Sequence, residues 1–196
     1  MKNLLLLVVF ILSNSFTEFP ATKKEYTFKV MSNSYIIING SSNVNKFGCK
    51  VLKPLQTKPL KALITSNYKV DLDGAIRVKV DEFDCENNIL NRDLRKTLKA
   101  ATHPYMTVYF KSLDQIPFTE GEDTINGTIV IELAGTAKEF KIPLSFIKKG
   151  NLYQMKGNKS FTFSDFKLLP PKKVGGLIKV KDEFKAIFML SLQYLE

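Results

Sequence analysis

Few residues of the sequence have types and spacings that could perform catalysis. The one histidine, His103, is a candidate general acid or base because imidazole exchanges protons near neutral pH. No G-x-S-x-G nucleophile motif accompanies it, so we expect His103 to lie in a loop or to cap an element. Asp71 and Asp73 offer carboxylates, but the further spaced oxygens and terminal glutamate of a calcium loop are missing. The sequence therefore predicts neither a catalytic residue nor a metal site, and a secreted enzyme that uses His103 is kept only as an alternative.

The 196 residues carry a net charge of +10, and lysine supplies nearly all of the basic side chains. Only Arg77, Arg92 and Arg95 are arginines, whereas base recognition usually relies on the forked arginine side chain. We therefore predict no nucleic-acid partner, since a lysine excess suits solubility or weak contact with an anionic membrane surface. With 44% hydrophobic and 24% charged residues, the composition is that of one ordinary globular domain.

The first 21 residues have the organisation of a targeting segment. A basic start with Lys2 is followed by the unbroken apolar residues 4–12 and then by small side chains. This apolar run is too short to span ~30 Å of hydrocarbon, which takes about 20 residues. We predict a cleaved signal peptide over residues 1–15, with a cut after residue 21 as the alternative, and a domain over residues 22–196. The protein would then be periplasmic or secreted, and a retained N-terminal anchor is the competing interpretation.

The two cysteines, Cys49 and Cys85, would meet an oxidising compartment after export. They are 36 positions apart, and closing a loop of that size stabilises the folded state by roughly 3–4 kcal/mol in the chain-entropy model. We predict a disulfide between them, with two buried free thiols as the alternative. No C-x-x-C pair suggests a redox role.

The body of the chain alternates between apolar and polar residues with a period of two, which is typical of half-buried β-strands. Asp73-Gly74 between two such segments predicts a tight hairpin turn, and Asn126-Gly127 predicts the start of another strand. Roughly eight to ten short strands with few long gaps favour a sandwich or a closed barrel. The predicted strand segments are 26–30, 35–38, 44–47, 68–72, 75–80, 106–110, 128–133, 140–146, 153–156, 161–163 and 184–192.

One segment departs from this period. In residues 89–101 the apolar side chains recur at helical spacing, and Asn87 or Asn88 is suited to cap the start. We predict one amphipathic helix that lies against the sheet. The last strand segment, 184–192, is apolar on both faces, and the helix is the obvious candidate to cover its outer face. The helical stripe consists of Leu90, Leu94, Leu98 and Ala101.

Five stretches form a further pattern when they are read in order: 40–47 (GSSNVNKF), 92–98 (RDLRKTL), 103–110 (HPYMTVYF), 127–138 (GTIVIELAGTAK) and 163–166 (FSDF). Over about residues 30–193, their order and spacing resemble the YceI-like family of secreted lipid-binding barrels. They match that family's S-x-V-x-F strand in its G-x-S-N-V-N-x-F-x-C form, its D-L-x-x-x-L helix, its Y-P-x-x-x-F stretch (here with the phenylalanine further along the strand) and a strand hairpin. The last stretch is similar to the family's S-D-F-G, with Lys167 in place of the glycine.

The resemblance implies an all-β fold, namely an antiparallel, lipocalin-like barrel of about eight strands with one helix packed against it. It also implies a non-enzymatic protein that holds a long-chain isoprenoid or similar amphiphilic lipid inside the barrel, with no catalytic residues and no cofactor besides that ligand. The alternative is a barrel filled by its own side chains, which would act as a structural or interaction module. No oligomeric state follows from the sequence, and a dimer is compatible with it.

Strand parity selects the side chains that we expect to line the barrel, and a register error of one residue would invert a whole strand. The expected lining residues are Phe47, Val108, Phe110, Ile129, Ile131, Phe140, Ile142, Phe146, Phe161, Phe163, Phe188 and Leu190.

Overall fold

The computed structural model describes residues 24–51, 53–64, 69–117 and 121–195. The predicted signal peptide and its cleavage sites lie outside these residues. None of the helices in the described ranges has the length and hydropathy needed to traverse a bilayer.

The described residues form thirteen strands and one α-helix, and a 3-10 turn over Ser164–Phe166 follows the eleventh strand. The helix, α1, spans Asn88–Thr97. The strands are β1 (Lys24–Val30), β2 (Tyr35–Ser42), β3 (Lys46–Val51), β4 (Gln56–Thr57), β5 (Leu60–Ile64), β6 (Val70–Lys79), β7 (Phe83–Asp84), β8 (Tyr105–Leu113), β9 (Gly121–Leu133), β10 (Thr136–Lys149), β11 (Leu152–Thr162), β12 (Lys172–Lys173) and β13 (Ile178–Leu195).

The predicted antiparallel barrel is confirmed. Eight strands close in the order β1-β5-β6-β8-β9-β10-β11-β13, and β13 pairs back with β1. Closure uses one edge of the long strand β13 twice, because its end pairs with β1 and its earlier part pairs with β2. Strands β3 and β7 continue the wall beyond β2. The inward side chains of these strands form one apolar core.

The prediction of a hairpin at Asp73-Gly74 is wrong, because both residues lie inside β6. On one edge of β6, Lys61 of β5 pairs with Asp73, and on the other edge Phe110 of β8 pairs with Gly74 next to a bulge. Pairing on both edges outweighs the local turn preference. The glycine serves a close approach instead, since a Cβ at Gly74 would lie 2.7 Å from Leu60 Cδ1.

The predicted strand start at Asn126-Gly127 is also wrong, because β9 begins at Gly121 and passes through both residues. A Cβ at Gly127 would lie 2.5 Å from Cδ1 of Leu144, so the glycine makes room for this fully buried side chain. The turn that does occur is Ala134-Gly135, which joins β9 to β10. Both residues have positive φ (51° and 81°), as a type I′ hairpin requires.

The helix begins where the sequence predicts. The side-chain oxygen of Asn87 accepts hydrogen bonds from the backbone N–H groups of Ile89 and Leu90, at 2.9 and 3.1 Å. The helix ends at Thr97, before the predicted end at residue 101, because Lys99 adopts a left-handed conformation (φ 54°).

The predicted disulfide is confirmed, since Cys49 on β3 is bonded to Cys85 just ahead of α1. Asn91 on the helix strengthens this junction: its side-chain nitrogen donates to Asp84 at 2.8 Å, and its side-chain oxygen accepts from the backbone N–H of Cys85 at 2.7 Å. The bond from Asn91, together with the backbone N–H of Glu86, lowers the pKa of Asp84 below its ordinary value. The start of the helix is therefore tied to the barrel wall.

The prediction that α1 covers the outer face of the last strand is wrong. The helix turns Leu94 and Leu98 toward the interior of the barrel, where they meet inward side chains of the wall. Ile187 and Met189 of β13 stay half-buried on the outer face, opposite Ile37 and Tyr35 of β2. The helical stripe is therefore buried against the core, with Leu98 buried and Leu90 and Leu94 packed beside it.

Candidate functional site

The barrel encloses an apolar cavity. Inward side chains from β2, β3, β6, β8, β9, β10, β11 and β13 surround it, and Leu94 and Leu98 of α1 complete the lining. The cavity is narrow, with a volume of about 90 Å³. Lys159 is the one charged residue in a lining that is otherwise apolar.

Most of the residues expected from strand parity lie in this lining. Three do not, although all three lie on the inward face of their strands. Phe146 borders a second, smaller apolar cavity beside Phe28 and Leu60, and Leu190 is fully buried in the packed core. Phe140 lies against the ring of Phe161 at 4.8 Å between centroids. Those in the lining are Phe47, Val108, Phe110, Ile129, Ile131, Ile142, Phe161, Phe163 and Phe188.

The lining also contains residues that the strand choices missed. Phe184 and Ala186 share the inward parity of Phe188 on β13, so the period of two could have found them. Leu94 and Leu98 belong to the helical stripe, whose position against the barrel no local pattern reveals. Further lining residues are Ile36, Ile38, Gly40, Cys49, Ile76, Met106, Leu133, Lys159 and Phe166.

The wall of the cavity changes character between β10 and β11. These strands pair from Leu144 opposite Gly157 to Lys149 opposite Leu152, and residues 136–143 and 158–162 form no ladder with one another. In that stretch β10 is paired only with β9, and β11 is paired only with β13. Aromatic rings fill the space instead: Phe166 lies 5.9 Å from Phe140 and 6.4 Å from Phe161 between centroids.

The family model of the YceI-like domain matches residues 22–191, a span that includes the whole cavity lining. The chain belongs to the YceI-like family. This confirms the resemblance seen in the five sequence stretches.

Solved structures of low sequence identity share the YceI-like fold. BcnA of Burkholderia cenocepacia is 16% identical with a TM-score of 0.65, over 83% of this chain and 99% of that one. A polyisoprenoid binding domain from Saccharophagus degradans, implicated in plant cell wall breakdown, is 10% identical with a TM-score of 0.59, over 86% and 97%. A Campylobacter jejuni YceI protein is 16% identical with a TM-score of 0.54, over 72% and 82%. Among curated proteins, no significant match was found.

An ion pair bridges the unpaired stretch in this YceI-like barrel. Lys138 on β10 contacts Asp165 in the 3-10 turn, and the other carboxylate oxygen of Asp165 accepts from the backbone N–H of Thr162 at 2.8 Å. Partial burial alone would raise the pKa of Asp165, but the bonds from Lys138 and Thr162 outweigh it and hold the pKa below its ordinary value. Ionised Asp165 therefore stabilises the fold at pH values above the pKa that it has in the unfolded chain. This stabilisation is lost as the pH falls through the lower pKa that Asp165 has in the folded protein.

His103 lies outside the cavity. Its ring packs over Gly135, where a Cβ would come within 2.5 Å of Nε2, and Nδ1 is 3.0 Å from Oγ1 of Thr102. It borders an open groove on the outer surface together with Tyr105, whose ring lies 3.7 Å from the guanidinium of Arg77. In the described part of the chain, no group of three or more His, Cys, Asp or Glu side chains is arranged to hold a metal ion.

Proposed function

We propose that this YceI-like protein is a carrier without enzymatic activity, which holds a long-chain isoprenoid or similar amphiphilic lipid in the barrel. The observation that supports this most strongly is the cavity lining, which is apolar on every side apart from Lys159. An apolar tail gains ~25 cal/mol per Å² that leaves water, so several hundred Å² contribute on the order of 10 kcal/mol before ordering costs. The polyisoprenoid binding domain among the structural neighbours is in line with such a ligand.

Export to the periplasm or beyond the cell is part of the same proposal. Residues 1–15 have the pattern of a signal peptide. The bond between Cys49 and Cys85 also supports an oxidising compartment, because disulfides seldom persist in a reducing cytosol.

The narrowness of the cavity favours a second candidate, a secreted structural or interaction module with a filled core. The ring of Phe184 lies 5.9 Å from that of Phe161 and 5.1 Å from that of Phe163, so aromatic side chains already occupy much of the interior. In a carrier these rings would change rotamer to admit a slender tail. Phe184 and Phe188 are the two half-buried rings on β13 that would have to move.

Organic extraction of the purified protein should release a long-chain lipid in roughly stoichiometric amount, and mass spectrometry of the extract would identify it. After delipidation, the emission of a Phe110→Trp variant should change when polyprenol is added, because Phe110 faces the cavity. Tyr109→Trp is the matched control, since Tyr109 borders the outer groove. A lipid-free extract together with a Phe110→Trp emission that ignores polyprenol would favour the filled-core module.

Contact with an anionic membrane surface would let such a carrier exchange its lipid. Four exposed apolar side chains, which we call the apolar tip, are Val44, Leu169, Val174 and Leu177, with 64–87% of their surface exposed. Asn43 holds two of the tip's loops together: it donates hydrogen bonds to the backbone carbonyls of Leu177 and Lys179, and its side-chain oxygen accepts from the backbone N–H of Lys179.

Charge and position make the apolar tip suitable for this contact. Exposed lysines flank it at Lys167, Lys172, Lys179 and Lys181, and basic side chains near an anionic bilayer contribute about 1 kcal/mol each. One of the loops that carry the tip starts from the cavity lining, because Phe166 lies only three positions before Leu169. A lipid leaving the bilayer at the tip would therefore have a short path to the interior.

Vesicle flotation tests the tip directly. The protein should bind phosphatidylcholine vesicles that contain phosphatidylglycerol, and high salt should weaken the binding. Leu169→Ser/Leu177→Ser should reduce it by about tenfold, because two leucines lose their burial in the bilayer. Ile89→Ser/Leu152→Ser is the matched control, since it removes two exposed apolar side chains elsewhere. Equal binding by both double variants would contradict a role for the tip.

A further inference from the structure

Lys159 occupies a position in β11 that would ordinarily hold an apolar residue. Gly157 and Phe161, two residues away on either side, both face the interior, and so does Ala186, the partner of Lys159 on β13. The lysine therefore has inward parity, and its side chain is half-buried in the cavity lining. Its four-carbon stem covers apolar surface while the ammonium reaches away from it.

The ammonium ends beside the stretch where β10 and β11 do not pair. Its nitrogen lies 6.0 Å from the centroid of the Phe140 ring, which packs against Phe161 and Phe166 in that space. Phe140 is half-buried, so the nitrogen stands at the border between the cavity and the surface.

No anion of the protein neutralises this cation within the described ranges. Lys159 forms none of the ion pairs or side-chain hydrogen bonds found there. Asp165, on the 3-10 turn that fills the unpaired stretch, is engaged by Lys138 and by Thr162. A cation beside an apolar cavity with no carboxylate partner is costly to desolvate, and a ligand anion would relieve that cost.

We propose that Lys159 binds the anionic headgroup, a phosphate or a carboxylate, of an amphiphile whose apolar tail fills the cavity. This inference rests on the proposed carrier function. The tail lies among the apolar lining residues, and the headgroup stops where β10 and β11 separate, within reach of the ammonium. Neutral amphiphiles with the same tail enter the same cavity but lack this contact.

The test compares probes that share a tail and differ in their heads. Delipidated protein is titrated with geranylgeranyl phosphate and with geranylgeraniol, and in a second arm with palmitate and with hexadecanol, by isothermal titration calorimetry. The native protein should prefer one anionic probe over its alcohol by about tenfold, the size of one charge-assisted contact. The arm that shows the preference distinguishes a phosphate head from a carboxylate head.

Variants assign the preference to Lys159. Lys159→Met keeps an apolar stem and should lose the tenfold preference while it retains the affinity for the alcohol. Lys159→Arg keeps the positive charge and should therefore keep the preference for the anionic probe. Lys156→Met on the outward face of the same strand removes the same charge and should leave the preference intact.

The outcomes separate this inference from the carrier function. If the anionic probes and the alcohols bind equally to the native protein and to Lys159→Met, the headgroup assignment is overturned and the carrier function stands. If Lys156→Met loses the preference as fully as Lys159→Met, a general surface charge is responsible and the assignment is again overturned. If neither class of probe binds the native protein, both proposals fall.

Discussion

Replacing Ala186 with phenylalanine should reduce lipid binding by at least tenfold while the barrel remains folded. Ala186 lies on β13 between Ile38 of β2 and Lys159 of β11, and its methyl group faces the cavity. A phenyl ring at this position would occupy the narrow space that an apolar tail needs. Phenylalanine is favoured in strands, so the backbone should accept it. Titration of the delipidated variant with geranylgeraniol measures the loss, and a tenfold change corresponds to about 1.4 kcal/mol.

Ala75→Phe is the matched control for this substitution. Ala75 lies on β6 opposite Tyr109 and borders the outer groove, so the same increase in size falls outside the cavity. This variant should bind the lipid as the native protein does. Unchanged binding by Ala186→Phe would mean that the tail lies elsewhere. A barrel with a filled core predicts a different result, namely a loss of about 1–3 kcal/mol of stability through overpacking.

Reducing the bond between Cys49 and Cys85 should lower the free energy of unfolding by about 3–4 kcal/mol. The bond closes a loop with a sequence separation of 36, which limits the unfolded chain much more than the folded one. Denaturant unfolding of the oxidised and reduced native protein measures the difference. The reduced protein keeps both sulfur atoms in the core, where Cys49 and Cys85 are 3% and 7% exposed, so the comparison isolates the cross-link from packing.

A Cys49→Ala/Cys85→Ala variant adds the packing contribution to the same comparison. It should be at least as unstable as the reduced native protein, because it also loses two buried sulfur atoms. Hydrogen exchange should show that α1 becomes less protected in both forms, since the bond anchors the segment before the helix. Identical unfolding midpoints for the oxidised and reduced proteins would contradict the expected role of the bond.

Much of the fold could be predicted from the sequence, because period-two alternation depends on local residues and one buried face. The cavity lining on β8 and β9 was predictable for the same reason, as with Phe110 and Ile129. The parity of a residue in its strand indicates which face of the sheet it occupies, but it does not indicate how far along the barrel axis the residue lies. Phe146 and Leu190 therefore face inward as expected and yet lie away from the main cavity.

The errors arise where long-range contacts overrule local preferences. Asp73-Gly74 is a strong turn signal, but pairing with Lys61 and Phe110 on the two edges keeps β6 extended. The position of α1 could not be predicted either, because its apolar stripe indicates that the helix packs against an apolar surface but does not indicate which one. Lys159 could have been found from the sequence, since it stands between inward positions 157 and 161 of one strand.

The shared edge of β13 has a consequence for the order in which the chain can fold. The strand over residues 178–195 is the partner of β1, β2, β11 and β12, so the wall cannot close until this strand is in place. Until then, the chain exposes an unclosed sheet with open edges, which favours aggregation. Pairing between strands that are far apart in the sequence, such as β1 and β13, also slows folding, and many of the contacts in this barrel are of that kind. Truncation of β13 should accordingly leave an aggregation-prone chain rather than a smaller barrel.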